Sequence, residues 1–201
     1  MRKYLLLLLA SVFCLQLSAQ LYSDSTGQKK KKKMDHFLYG TVGFQLSGIN
    51  GDSDSYNEML PGFHFGLGIR LAELSDVVGL RTELTYSSQG SRYDDYVKGK
   101  VILSYLTLPV LIRAGSKSGF YGEGGIQPGL LLSAKDKWED ESYDFKEYVN
   151  SFDFSVLLGA GYQKNRLGVG LRIAPGLSNI NKDSDSKDRN FVGSIRTTFT
   201  F

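Results

Sequence analysis

Cysteine is almost missing from this chain of 201 residues, and its one thiol, Cys14, falls inside an N-terminal apolar stretch. The remainder can form no disulfide, so its fold must close by backbone hydrogen bonding and packing. Proline is scarce, with four residues, and histidine is limited to His36 and His64. An excess of one charge is missing too: 24 basic residues face 21 acidic ones, and Arg2 and Lys3 belong to the N-terminal stretch, which leaves 22 against 21. That balance provides no basic face of the kind nucleic acids require. The apolar run at residues 4–17 is short of the roughly 20 residues that a membrane-spanning helix needs.

What the chain has in abundance is glycine, 23 residues, and 24 phenylalanines and tyrosines together. Glycine well above its usual share of about 7%, combined with aromatics, points to tightly curved β-sheet. Arg2 and Lys3, the apolar run and Ser18-Ala19-Gln20 form a secretory signal, with residues 1–19 removed after Ala19. Phe13 stands where a lipoprotein signal places a small residue, which argues against lipidation at Cys14. Residues 20–35 are polar and include five consecutive lysines at 29–33, a composition expected to stay disordered and suited to anionic lipid headgroups.

From His36 onward the dominant pattern is alternation with period two, returning in eight segments each long enough to cross a membrane as a tilted strand. Leu38, Val42, Phe44 and Leu46 oppose Tyr39, Thr41, Gln45 and Ser47 in the first; Leu167, Val169, Leu171 and Ile173 oppose Gly168, Gly170 and Arg172 in the seventh. Arg70, Arg81, Glu83, Arg113, Glu123, Asp153, Arg172 and Arg196 all take the non-apolar parity of their segments. With lipid outside and polar side chains inside, that placement follows, because an arginine facing lipid at the bilayer midplane costs about 2–4 kcal/mol. Alternation also suits a lipocalin-like cup or a β-sandwich. Connection lengths separate these readings: short links at 72–77, 115–119 and 164–166 alternate with long ones at 50–60, 89–100, 133–151 and 179–189. Short periplasmic turns and long outer loops are the outer-membrane pattern.

Several phrases carry a resemblance to a known family. They are Tyr105-Leu106-Thr107-Leu108-Pro109-Val110, Phe120-Tyr121-Gly122-Glu123-Gly124-Gly125, Phe152-Asp153-Phe154 followed by Gly159-Ala160-Gly161-Tyr162-Gln163, and the terminal Phe201. In order and spacing the chain resembles the porin-family outer-membrane β-barrel domain over most of residues 36–201. Thr107 departs from the pattern, since related sequences often carry an acidic residue there. The resemblance implies an all-β, eight-stranded antiparallel transmembrane up-and-down β-barrel in the outer membrane of a Gram-negative bacterium. It also implies that Phe199 and Phe201 form the signal read by the barrel assembly machinery. It implies no substrate.

Eight strands enclose a space that side chains just fill, so a plugged lumen is expected, with Arg–Glu and Arg–Asp pairs across it compensating the buried charges. The expected role is structural, adhesive or interactive through the outer loops, in contact with outer-membrane lipids and an extracellular partner. The alternatives are a narrow porin for small ions or solutes and a lipid-modifying enzyme. Catalysis has little to work with: His64 has no serine or acid set beside it by spacing, and no cofactor is expected. Asp52-Ser53-Asp54-Ser55 and Asp183-Ser184-Asp185-Ser186 lack the glycine and terminal glutamate of a calcium loop, so no metal is expected. The contact candidates are Trp138, Tyr143 and Phe145 in the loop at 133–151, because aromatics are enriched at binding hot spots.

Overall fold

Alternating apolar and polar residues satisfy a backbone that is wet on one side and apolar on the other, and here they pair into strands along the whole described chain. The computed structural model describes residues 37–51, 58–94, 98–138, 141–182 and 187–201. The expectations for the signal at 1–19, the polybasic segment at 20–35, His36 and the two Asp-Ser repeats lie essentially outside these residues. The strands are β1 (Leu38–Asn50), β2 (Glu58–Glu73), β3 (Val78–Asp94), β4 (Lys98–Thr107), β5 (Val110–Gly115), β6 (Phe120–Trp138), β7 (Glu141–Asp144), β8 (Phe152–Lys164), β9 (Leu167–Pro175) and β10 (Arg189–Thr200).

Every pairing is antiparallel, and the last strand returns to pair with the first. The β1–β10 seam runs in unbroken register from Tyr39↔Thr200 to Asn50↔Arg189. Strands β4 and β5 lie end to end between β3 and β6, so the ring has eight staves, and the small β7 pairs with the top of β6. The break between β4 and β5 falls at Leu108 and Pro109, where proline has no N–H to give the ladder. The Pro109 carbonyl still accepts from the Glu83 N–H and the Thr82 hydroxyl, both at 3.0 Å.

Two of the expected long loops are mostly strand. β3 runs on to Asp94, β4 starts at Lys98, and β6 continues to Trp138 before β7 returns beside it. Past the apolar zone polar residues occupy both faces, so the alternation fades while the backbone pairing continues. The tight connections gather at one end with Phe37 and Phe201, and the longer ones at the other. At this turn end the chain needs left-handed backbone at Asn165, φ 55°, and Gly119, φ 101°.

The two faces settle which side is the interior. Phe44 is 76% exposed whereas Arg196 is 1% exposed. Phe63, Phe65, Leu67, Leu171 and Ile195 also point out, while Thr41, Gln45, Ser87 and Thr198 point in. A soluble cup or sandwich would reverse this arrangement, whereas a barrel wall in lipid requires it. Stacked rings of Phe65 and Tyr86, 5.3 Å apart, and edge-on rings of Phe120 and Tyr162, 5.0 Å apart, line the outer wall.

Candidate functional site: a lumen filled in three layers

The layer nearest the turn end is ionic. Glu83, on β3, receives two hydrogen bonds from Arg172, at 2.7 and 2.8 Å, and two from Arg196, at 3.1 and 3.0 Å. The Tyr39 hydroxyl donates to the same carboxylate at 2.9 Å. Arg172 also reaches Glu123 at 2.5 Å, and Glu123 is held from its other side by Arg113 at 2.9 Å. Arg113 lies 3.8 Å from the centre of the Tyr121 ring and donates to Gln163 at 3.2 Å. Three guanidiniums therefore share two carboxylates, and the ring and amide around Arg113 help hold the odd cation.

Inward glycines make room for these long side chains. A Cβ on Gly68 would run into the Tyr39 ring, one on Gly161 or Gly170 into the Tyr121 hydroxyl, and one on Gly159 into Arg172. At these positions bulky inner residues on some staves need bare backbone on others.

Above the ions lies a polar cavity of about 40 Å³, lined in part by Gln45, His64, Ser87, Thr107, Gln127 and Ser194. That is space for about one water molecule. Gln45 donates to the Ser87 hydroxyl at 3.0 Å and to the Ser88 carbonyl at 2.6 Å. His64 is buried here, and no hydroxyl nucleophile is hydrogen-bonded to it among the described residues.

The third layer, at the loop end, is apolar. Ile49, Val101, Leu103, Tyr105, Leu131, Ala134, Val149 and Ile180 form one buried cluster, with Tyr93 and Phe145 packed against it. Two connections fold over the mouth to supply Val149 and Ile180. They are joined by the Asn150 N–H to the Ile180 carbonyl at 2.8 Å and the Lys182 N–H to the Tyr148 carbonyl at 3.1 Å. The Asn150 side chain ties them again, donating to the carbonyls of Asn179 and Asn181. Beside this lid, between β1 and the β9–β10 connection, an open hollow of about 480 Å³ is bordered by Asn50, Lys187 and Arg189.

Five of the eight expected lumen charges meet in the ionic layer: Glu83, Arg113, Glu123, Arg172 and Arg196. The other three do not. Arg70 sits at the turn-end rim, 3.4 Å from Glu73. Arg81 stands in register with Arg70, its guanidinium 5.8 Å from the Tyr39 ring centre. Among the described residues Asp153 pairs with no arginine, contrary to the expected Arg–Asp bridges; it accepts from Ser155 at 3.2 Å and Ser178 at 2.7 Å. It lies too far up the barrel, level with Gly129 on β6, for the arginines to reach it.

The aromatic candidates also separate. Trp138 ends β6 opposite Glu141, inside a strand pair rather than a loop, and Phe145 packs on the apolar cluster. Tyr143 is exposed, as is its neighbour in the same connection, Tyr148. Phe199 and Phe201 meet edge-on at 5.5 Å, and the Phe201 N–H closes on the Leu38 carbonyl at 3.0 Å. The sequence reading missed Tyr39, Gln163 and the apolar layer. Val101-Ile102-Leu103, apolar at both parities, was the signal for the last of these.

A family model described as outer membrane protein beta-barrel domain matches residues 23–182. No curated protein matches the chain. Among solved structures, the chain is similar to Ail, the attachment invasion locus protein of Yersinia pestis, with 13% identity, 84% of this chain and 100% of that chain covered, and a TM-score of 0.47. It is also similar to the N-terminal β-barrel domain of Pseudomonas aeruginosa OprF, with 17% identity, 80% and 97% covered, and a TM-score of 0.34. The outer membrane enzyme PagL is similar at 13% identity, 78% and 99% covered, with a TM-score of 0.41.

Proposed function

Because the chain belongs to the outer membrane protein beta-barrel domain family and resides in the bacterial outer membrane, we propose that it is a closed barrel, non-conducting and non-enzymatic, acting through the surface of its loop end. The observation that carries this reading is the filled lumen. An ionic layer and an apolar layer leave between them a cavity of about 40 Å³, which argues against passage of a hydrated ion and against a substrate reaching His64. With the interior taken up and the wall facing lipid, the loop end is the surface left for an adhesive or interacting partner, since binding residues concentrate on loops held by a rigid scaffold. Among the described residues of that end, Tyr143 and Tyr148 are exposed aromatics, at 52% and 63%.

Planar-bilayer recording of the refolded protein tests the closed lumen. The expected trace shows no sustained steps above the protein-free bilayer. Stable, ion-selective single-channel steps would establish a narrow porin instead.

A further inference from the structure

On the outside of the wall, where β3, β4 and β6 pass the apolar band, three cations stand side by side. Arg92 is in register with Lys100, and Lys100 with Lys137, all three exposed on the outward face. Like charges directly opposite one another on paired strands destabilise a sheet. The neighbouring lysines are arranged differently: Lys98 pairs with Asp94 at 2.9 Å, and Lys135 stands in register with Asp144. Glu58 is in register with Arg92 at the end of the row, yet among the described residues no ion pair reaches Arg92, Lys100 or Lys137.

Its height says what it faces. On the β4–β5 stave the outward residues from Ile112 up to Ile102 are apolar apart from Ser104. Ten residues at about 3.3 Å each, tilted by about 40°, rise about 25 Å, the height of the apolar band of an outer-membrane barrel. Lys100 is the next outward residue on that stave, and on β6 Lys135 and Lys137 follow Leu132 past a bulge in the pairing with β4. The row therefore lies at headgroup level, at the end with the longer connections, and points sideways into the leaflet rather than into the mouth.

We propose that Arg92, Lys100 and Lys137 form a binding site for the phosphate groups of a phosphorylated glycolipid in the outer leaflet. Guanidinium and ammonium groups in a row match a headgroup with phosphoryl oxygens, the arginine by its planar fork and the lysines as point charges. The bound phosphate supplies counter-charge to a row that no ion pair reaches among the described residues.

The test reconstitutes the mature protein in phosphatidylcholine vesicles containing lipid A, or lipid A stripped of its phosphates, and measures the glycolipid retained after detergent washing. The wild type should retain the phosphorylated form and release the stripped one. Replacing Arg92→Gln, Lys100→Gln and Lys137→Gln together should lower retention by at least about tenfold, while Lys98→Gln with Lys135→Gln should leave it unchanged. Equal retention of the two lipids by the wild type would overturn the proposal, whether or not the triple variant inserts. So would wild-type retention by a properly inserted triple variant, or an equal loss in the Lys98/Lys135 control. Displacement by excess inorganic phosphate as effective as by lipid A would point to a soluble anion and overturn the lipid assignment.

Discussion

The two ends of the lumen are filled in opposite ways. At the turn end, Arg172 and Arg196 converge on Glu83, and every member needs its partner. At the loop end, Leu103, Leu131 and Val149 pack without direction, and each contributes by the area it buries. The difference follows from what each layer must resist. The ionic layer lies within the lipid-embedded wall, where a side chain long enough to bridge the tube carries a charge at its tip. The apolar layer sits at the mouth, on the side that faces water, where directionless packing needs no partner.

The largest expected effect breaks the ionic side of this comparison. Glu83→Gln leaves Arg196 without a carboxylate and Arg172 with only Glu123, and should cost about 3–5 kcal/mol, read from urea unfolding in lipid vesicles. Adding Arg196→Met should recover part of that loss, because coupled neighbours are not additive. A cost near zero for the single variant would show that this layer is hydrated, and the contrast with the lid would disappear.

Leu103→Ala should cost less, about 2–4 kcal/mol, as a lost transfer free energy plus a cavity. Combined with Glu83→Gln it should add almost linearly, since the two layers share no partner. Strong coupling between them would mean that the lumen behaves as one unit.

The smallest effects sharpen the boundary of the lid. Phe145→Ser should lower stability by about 1–3 kcal/mol because the ring packs on the apolar cluster. Tyr143→Ser should stay within about 0.5 kcal/mol, as an exposed substitution does. Equal losses, measured by the same unfolding assay, would place Tyr143 in the lid and remove it from the contact surface.

The barrel and the direction of its charges were legible because both depend on period two alone: Glu83, Glu123 and Arg196 turn inward by parity. Which charges meet was not legible. Strand stagger sets the height of each residue, and Asp153 differs from Glu123 in height rather than in parity. The lid was hidden for a related reason. Val149 and Ile180 sit in connections, where no periodicity reports that a chain folds inward, and only the doubly apolar Val101-Ile102-Leu103 hinted at it. Arg92, Lys100 and Lys137 escaped notice because their segments read as loop, and a row across three strands leaves no trace in a one-dimensional pattern.

The partners of Glu83 lie far along the chain: Arg172 is 89 residues away and Arg196 is 113. Arg196 belongs to the last strand, so its bonds to Glu83 can form only when β10 reaches β1. Until then an open sheet holds Arg113 and Glu123 paired on adjacent strands but leaves Arg196 without Glu83 on its concave side, where it requires water or another polar surface. Such a sheet cannot be sunk into hydrocarbon stave by stave. Sealing the seam and entering the bilayer therefore have to happen together, and the ionic layer works as a latch whose grip is felt only in the finished cylinder.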